Sequence, residues 1–239
     1  SMQTMALDKI PDGFVLLANT ITKTNDGSIV QTVLIETDEN GNQIGDFHSY
    51  DNIVSKSFKA IVSNGAVNGY VVVGDSIYTD PTAEQAANVV VSSMSVLILN
   101  SSFQELKRIY ITDKKATGAG HPVKDDFFGE SINLTGSGGV IILGTFKEGI
   151  VNQQNAPAEQ LLFGLNTSLD SAWVQFYPLL SNTYANAKSI HYSNGNIIWA
   201  SAIADVQGDF TNSYVTVPFV KEQSVPVNFS TLGQSTNQK

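Results

Sequence analysis

Asp125, Asp126 and Glu130 form the one acidic cluster of the sequence that could perform general acid–base chemistry. Glycosidases and lyases use two carboxyl groups, one protonated and one ionised, around the bond that is cleaved. Two adjacent loop residues rarely point into one site, and no neighbouring residue predicts a raised pKa for either. The sequence therefore assigns no catalytic residue. A carbohydrate-active enzyme, a glycosidase or lyase with carboxylates carried on loops, stays an alternative.

The three histidines, His48, His121 and His191, lie far apart and do not show the spacing of metal ligands. A zinc site needs three or four convergent ligands. The chain has no cysteine, which removes thiolate ligands, cysteine nucleophiles and disulfides. We therefore expect neither a metal nor a cofactor.

Three polar or glycine-rich segments resemble functional loops but predict plain structure. Asp38, Asn40 and Asn42 alternate like the first calcium ligands of a loop, yet the later anchoring glutamate is missing, so a hairpin turn explains them better. Residues 136–139 are followed by a strand-like run rather than a helix, which predicts a turn and not a phosphate site. Residues 129–133 lack one glycine of a nucleophile elbow, so a serine hydrolase is not expected.

Two tryptophans and three tyrosines offer aromatic rings on which a sugar could stack: Trp173, Trp199, Tyr177, Tyr184 and Tyr192. Both tryptophans fall at strand positions in successive units of a repeat. We therefore expect them to pack between neighbouring blades. The ligand-binding residues stay unknown from the sequence alone.

The composition limits the partners of the chain. Its 239 residues include 13 basic and 22 acidic ones, and the net charge of −9 disfavours nucleic acid and anionic membranes, which attract Lys/Arg clusters. No segment approaches the roughly 20 consecutive apolar residues of a membrane helix, so we expect a soluble domain. Ser1-Met2 resembles the remnant of an expression tag, so a signal peptide or an N-terminal lipid anchor would lie outside the sequence.

A polar dipeptide ending in glycine precedes an apolar, largely β-branched run four times, and this unit recurs about every 60 residues. The dipeptides end in Gly13, Gly69, Gly139 and Gly195, and each dipeptide predicts a tight turn before its strand. A repeat of this length with only strand signals predicts a propeller blade of four strands. The predicted single domain covers residues 1–239, with units at 12–67, 68–137, 138–193 and 194–239.

Three further strands follow the glycine-led strand in each of the first three units. The second strands are 32–35, 95–99 and 161–165, and Asp- or Asn-led hairpin turns follow them. The third strands are 44–50, 106–111 and 173–177. The fourth strands are 58–62, 130–134 and 187–192. In the last unit, a strand at 214–220 contains Pro218, which predicts an edge or a bulge.

The motifs DGFVLLA at residues 12–18 and VLIETDENGN at residues 33–42 resemble the repeats of secreted bacterial β-propellers, in which DGGYILAG precedes LIKLDSNGN. The resemblance is clearest over residues 12–50 and weakens along the chain. It implies a β-propeller and an exported, periplasmic or cell-surface location in a Bacteroidetes-type bacterium. It brings no catalytic residues, because the shared motifs are structural.

Four recognisable units leave the blade number open between four, five, and part of a larger ring. We expect residues 225–232 to help close the ring. Three inserts break the repeat, at 78–91, 112–128 and 146–160, and two of them join equivalent strands in neighbouring units. We therefore predict a non-catalytic binding or scaffold module that recognises a glycan or a protein through these loops. A subunit that completes a larger ring is a further alternative.

Overall fold

The computed structural model describes residues 1–24, 27–79, 90–111, 126–147, 158–177, 183–193, 195–205, 214–216 and 219–221. Every regular element in these residues is a β-strand, so the predicted all-β class is confirmed. The strands form four antiparallel sheets of four strands each. The described residues contain no helix long and apolar enough to cross a membrane.

Sheets I and II are built from consecutive strands, each paired with the next in the chain. Sheet I contains β1 (Met2–Ile10), β2 (Gly13–Thr24), β3 (Gly27–Thr37) and β4 (Gln43–Asp51). Sheet II contains β5 (Val54–Ser63), β6 (Ala66–Thr79), β7 (Val90–Asn100) and β8 (Glu105–Ile111). Both sheets are therefore simple meanders.

Sheet III is a third meander, whereas sheet IV has a divided third strand. Sheet III contains β9 (Asp126–Leu134), β10 (Val140–Lys147), β11 (Ala158–Leu165) and β12 (Ser171–Tyr177). Sheet IV contains β13 (Thr183–Ser193), β14 (Asn196–Asp205), β15 (Tyr214–Thr216) and β16 (Phe219–Lys221). Both β15 and β16 pair with β14, so the strand predicted at 214–220 is interrupted as expected. Pro218 and residues 225–232 lie outside the described residues.

Each of sheets II, III and IV begins with the strand that the repeat pattern placed last in the preceding unit. The strand predicted at 58–62 lies in β5, which pairs with β6 of sheet II. The strands predicted at 130–134 and 187–192 lie in β9 and β13, the first strands of sheets III and IV. Hydrogen bonding across the tight turns therefore decides which strands share a sheet, and periodicity alone does not show it.

The marker glycines of the first three units sit at equivalent places, although one of the predicted turns is wrong. A Cβ on Gly13, Gly69 or Gly139 would lie 2.0, 2.4 or 2.7 Å from a carbonyl oxygen near the end of the third strand, that of Thr37, Leu99 or Leu165. The predicted turn at Asn68-Gly69 lies inside β6. The turn is formed instead by Asn64 and Gly65, whose φ angles of 53° and 75° fit a two-residue type I′ hairpin.

The hairpin turns predicted after the second strand of each unit are confirmed, and they join the third and fourth strands of sheets I to III with one hydrogen-bond pattern. Each begins with Asp or Asn, whose side-chain oxygen accepts from the backbone amides two and four residues on, at 2.8 to 3.0 Å. The first residues are Asp38, Asn100 and Asn166. The fourth residues have positive φ angles, which are 84° at Gly41, 61° at Phe103 and 60° at Leu169. These turns fix the register of the third and fourth strands.

Apolar side chains from facing sheets fill three separate cores, one between each pair of successive sheets. Leu17 and Leu34 of sheet I pack with Phe58, Tyr70 and Val72 of sheet II. Residues between sheets II and III include Val73, Val96, Ile132, Ile142 and Phe163. Residues between sheets III and IV include Ile141, Leu162, Trp173, Ile190 and Trp199. The inner sheets II and III are therefore apolar on both faces.

A β-bulge occurs at the same place in the first strand of every sheet. The extra residues are Met5, Lys56, Glu130 and Lys188. A bulge leaves a backbone group outside the strand ladder. At two of the bulges, the amide that precedes the extra residue binds a side chain on the second strand of the preceding sheet: Ser55 N–H donates to Asn19 Oδ1 at 3.0 Å, and Gly129 N–H donates to Asp75 Oδ1 at 2.9 Å.

Asn19 makes the more extensive of these two links. Its Oδ1 accepts from Ser55 Oγ at 2.8 Å, and its Nδ2 donates to the Ser55 carbonyl at 2.9 Å. The Thr32 hydroxyl oxygen lies 3.2 Å from Asn19 Oδ1 and donates its hydrogen to the nearer carbonyl of Ile53, at 2.9 Å. All three side chains are buried, so each lost partner would leave a desolvated polar group. The network joins sheet I to sheet II.

We expect Asn19→Ala to destabilise the protein by about 2–4 kcal/mol, because it removes a hydrogen-bond partner from buried polar groups of Ser55. Urea unfolding followed by circular dichroism measures this change. The matched control is Asn68→Ala, an exposed asparagine on the second strand of the next sheet, which should change the free energy of unfolding by less than about 0.5 kcal/mol. Equal effects of the two substitutions would show that the network does not hold the sheets together.

Candidate functional site

The meander topology separates two kinds of connection. In sheets I to III, the turns from first to second strand and from third to fourth strand lie at one end of the strands, here called the turn end. The connections from second to third strand and from one sheet to the next leave the opposite end, here called the connection end. The turn end carries the short, hydrogen-bonded turns described above. The connection end carries every long connection in these three sheets.

All three predicted inserts leave and rejoin the sheets at the connection end. Insert 78–91 lies between β6 and β7, insert 112–128 between β8 and β9, and insert 146–160 between β10 and β11. Their central residues lie outside the described residues, and so do His121 and Asp125. The expectation that the first and third inserts share one face agrees with the strand order.

The connection end of sheets I and II also holds a cavity of about 600 Å³. Its volume lies within the range of small-ligand sites. The cavity is lined by Ile29, Val30, Gln31, Asp51, Asn52, Ile53, Val54 and Asp75. It therefore combines apolar side chains with two carboxylates and two amides, a mixture suited to a polar ligand with an apolar face.

The segment from Asp51 to Val54, which joins sheets I and II, forms one wall of the cavity and is fixed by hydrogen bonds. Arg108 donates to the Asp51 carbonyl at 2.6 Å, and Ser76 donates to the Asn52 carbonyl at 2.5 Å. Asn52 has a φ of 58°, in the left-handed region that asparagine tolerates better than most residues. The cavity wall is thus a well-anchored piece of backbone.

Polar groups of the cavity are partly engaged with one another. Gln31 donates through Nε2 to Asp51 Oδ1 at 2.7 Å, and the two residues face each other across β3 and β4. Asp51 and Asn52 are exposed, whereas Ile53 is buried beneath them. An incoming hydroxyl or amide group can therefore reach the carboxylate of Asp51 without unfolding the wall.

Among the described acidic residues, Asp75 has the pKa that is shifted furthest from its usual value. Its Oδ1 accepts from Gly129 N–H, and its Oδ2 lies 3.7 Å from Lys56 Nζ. Burial raises the pKa of Asp75 to about 6, and the charge of Glu130 acts in the same direction, while Lys56 and the Gly129 amide oppose it. The carboxyl group is therefore close to half-protonated just below neutral pH.

Lys56 and Glu130, two of the bulge residues, act on this acid from different sheets. Lys56 is the extra residue of β5 and Glu130 the extra residue of β9. Glycines surround the acid, since a Cβ at Gly74 would lie 2.2 Å from the Val54 carbonyl oxygen and one at Gly129 would lie 2.5 Å from Val73. The close approach of three strands explains why Asp75 is half-buried.

His121 and Asp125 lie outside the described residues, and the described histidines, His48 and His191, lie apart from each other. His48 stacks on Phe103 at 4.4 Å between ring centroids, and Phe103 stacks in turn on Tyr70 at 4.5 Å. His191 is exposed on β13. Within the described residues there is no group of three His, Cys, Asp or Glu side chains that could hold a metal ion. Glu130 lies at its bulge, and Asp126 begins β9.

The predicted turns at residues 38–42 and 136–139 are confirmed. Asp38 binds backbone amides and the Asn42 side chain, and these hydrogen bonds, with Asn42 as the largest cause, lower the pKa of Asp38. In the glycine-rich segment, Thr135 makes the hydrogen bond that Asp or Asn makes in the other turns, because its Oγ1 accepts from the backbone amide of Gly139, four residues on, at 2.9 Å. Residues 129–133 lie in β9 rather than at a nucleophile elbow.

The tryptophans pack between sheets, as predicted. Trp173 covers Gly164, where a Cβ would lie 2.2 Å from the indole ring. Trp199 is buried and donates from Nε1 to Gln160 Oε1. Both indoles belong to the core between sheets III and IV. The side chains of Tyr177 and Tyr184 are outside the described part of the chain, so a sugar-stacking platform that includes them stays untested.

Sequence reasoning missed Asp75, Asp51 and Gln31, which line the cavity. A signal for Asp75 exists, because a carboxylate directly after the run Val71-Val72-Val73-Gly74 is a charge within a strand that is otherwise buried. Asp51 and Gln31 carry no comparable signal, since exposed polar residues at strand ends are common.

No protein-family model and no curated protein matches this chain. The resemblance of its repeats to secreted propellers therefore rests on the motifs at residues 12–18 and 33–42. In the structure these motifs form β2, β3 and the Asp38 turn of sheet I. Their role here is structural.

We expect Asp75→Asn to stabilise the protein by about 1–3 kcal/mol at about pH 8 and by much less at about pH 4. The pKa of Asp75 is about 6 in the folded protein and 3.8 in the unfolded chain, so proton binding to Asp75 stabilises the folded state. This stabilisation is present below about pH 4 and is lost as the pH rises through 6. Urea unfolding across this pH range measures the difference. Asp46→Asn, at an exposed site, is the control; an effect of Asp75→Asn that does not vary with pH would contradict the shift.

Proposed function

We propose that the chain is a β-propeller-like domain that acts as a non-catalytic binding or scaffold module and recognises a glycan or a protein at its connection end. The observation that carries the proposal is the contrast between the two ends of the sheets. Short turns with internal hydrogen bonds close the turn end of sheets I to III, whereas the connection end holds the cavity and the anchors of all three inserts. Binding residues concentrate on connections held by a rigid scaffold.

The propeller assignment is supported by the repetition of the sheets and of the links between them. Consecutive four-stranded meanders pack face to face in chain order. The same bulge recurs in each first strand, and the same second-strand position supplies the linking side chain at two of the boundaries. A propeller is built from such equivalent blades.

An exported protein in a Gram-negative, Bacteroidetes-type bacterium fits the resemblance of its repeats to secreted propellers. The domain is then periplasmic or displayed on the cell surface. The absence of cysteine and the net charge of −9 are compatible with this location.

The binding role is favoured over catalysis because Asp75 is engaged by structural partners. Its two oxygens face the Gly129 amide and Lys56, so the carboxylate joins sheets II and III. One observation favours the alternative of a carbohydrate-active enzyme: Asp51 and Asp75 line the same cavity, and Asp75 has a raised pKa. In that case Asp75 is the acid of a pair.

We expect a glycan array to yield ligands whose affinity falls at least about tenfold in Gln31→Ala and in Asp51→Ala, because both substitutions remove polar groups from the cavity. Isothermal titration with the best array ligand measures the loss. The matched control is Gln43→Ala, a glutamine of the same sheet at the turn end.

Equal losses in all three variants would contradict binding at the cavity. Release of reducing sugar from an array ligand, abolished in Asp75→Asn, would establish the enzyme instead. If the array yields no ligand, a glycan is excluded and a protein remains as the proposed ligand.

A further inference from the structure

The cavity at the connection end of sheets I and II contains a carboxylate without a positively charged partner. Asp51 is exposed, and its Oδ1 accepts from Gln31 Nε2 at 2.7 Å. Among the described residues, no basic side chain forms an ion pair with Asp51. Its Oδ2 atom makes no hydrogen bond to them either, so this oxygen and the charge are available to a ligand.

Two basic side chains near the cavity wall are already paired with other acids. Arg108 donates through Nη1 to the backbone carbonyl of Asp51, while its Nε and Nη2 bind the Glu105 carboxylate at 3.1 and 2.8 Å. Lys56 lies 3.7 Å from Asp75, the second carboxylate of the cavity. Asp75 therefore has a counter-ion and Asp51 has none. The net charge of −9 adds a long-range attraction for basic partners.

The side-chain oxygens of the cavity match the donors of an ammonium group. Gln31 uses its Nε2 in the bond to Asp51, and its Oε1 has no hydrogen-bond partner in the described part of the chain. The same holds for the side-chain oxygen of Asn52, since the bond from Ser76 goes to the Asn52 backbone carbonyl. Together with Asp51 Oδ2, the cavity residues offer three acceptors, which equals the number of N–H donors on a lysine side chain.

A lysine fits these acceptors better than an arginine does. A guanidinium group binds a carboxylate best through two parallel hydrogen bonds, one to each oxygen. Because Asp51 Oδ1 already accepts from Gln31, only the other oxygen is open. An ammonium group acts as a point charge with rotatable donors, so it does not need both oxygens.

The apolar part of the cavity suits the aliphatic stem of a lysine. Ile29 is 51% exposed, and Val30 and Val54 are half-buried. These side chains line the cavity together with the polar groups. Lysine lays its methylene groups on apolar surface while its charged end reaches polar groups. The volume of about 600 Å³ also leaves room for residues next to the lysine in a protein chain.

We propose that this cavity binds the side chain of a lysine on a partner protein, with Asp51 as the counter-ion. The inference rests on the binding role proposed for the connection end, and it narrows the ligand to a protein with an exposed lysine. A neutral glycan would desolvate the carboxylate of Asp51 without supplying a positive charge, which is unfavourable.

A titration of the isotope-labelled full chain, followed by NMR of its backbone amides, tests the proposal. The probe is N-acetyl-lysine methylamide, and the matched probe is N-acetyl-norleucine methylamide, which has the same aliphatic stem without the ammonium group. The lysine probe should shift the amides of Gln31 and of residues 51–54. It should bind at least about tenfold more tightly than the norleucine probe.

Asp51→Asn separates the charge from the shape of the site. The new side chain keeps an oxygen that can accept from Gln31, but it carries no charge. The affinity for the lysine probe should fall at least about tenfold. Asp46→Asn, at another exposed aspartate of β4, is the matched control and should leave the affinity unchanged. Both sites are exposed, so both variants should fold like the wild type.

Equal affinity for the two probes overturns the proposal, and so does binding of the lysine probe that survives Asp51→Asn. An absence of shifts at the cavity amides up to about 20 mM probe overturns it as well. Pentylamine has the ammonium group without peptide groups. Tighter binding of pentylamine than of the lysine probe would indicate a free amine as the ligand and would contradict a protein partner.

The glycan array distinguishes failure of this inference from failure of the binding role. A neutral glycan whose affinity falls in Gln31→Ala and in Asp51→Ala would overturn the lysine ligand, whereas the binding role of the cavity would stand. If neither a glycan nor the lysine probe binds at the cavity, both proposals are wrong.

Discussion

The arrangement of the sheets depends on hydrogen bonds between a side chain on one sheet and a bulged backbone amide on the next. Asn19 makes this bond to Ser55, and Asp75 makes it to Gly129. The bulge frees the amide, and a small residue before the acceptor, Ala18 or Gly74, lets the strands come close. Apolar packing tolerates small shifts of one sheet against the next, whereas these hydrogen bonds fix the position of each sheet relative to its neighbour.

The same bonds explain the properties of the candidate site. The strand that brings Gly129 to Asp75 also removes water from that carboxyl group, which raises its pKa. The cavity lies where sheet I passes into sheet II, next to the Asn19 network. Its wall is therefore positioned by the same contacts that hold the two sheets together, so ligand recognition and sheet packing share residues.

Local features of this protein could be predicted from its sequence, and distant ones could not. Apolar, largely β-branched runs identified the strands, and Asp38, Asn100 and Asn166 identified their turns, because both signals act within a few residues. The assignment of residues 58–62 to a sheet was wrong. A short connection flanks this strand on each side, and only the hydrogen-bond pairing shows across which connection the strand joins its sheet. Asp75 was missed because its partner Gly129 lies 54 residues away. The turn at Asn68-Gly69 was misplaced because Gly69 is required by close approach to Leu99 and not by a turn.

The meander order of the strands has a consequence for folding speed. In sheets I to III every strand pairs only with its neighbours in the chain, so each pairing closes one connection of at most ten residues. Low contact order of this kind favours fast folding for a β-protein. Each of these sheets can form as soon as its last strand leaves the ribosome, and each then offers an apolar face to the strands that follow. Sheets I to III can therefore assemble in chain order, since none of their described strands pairs with a distant one.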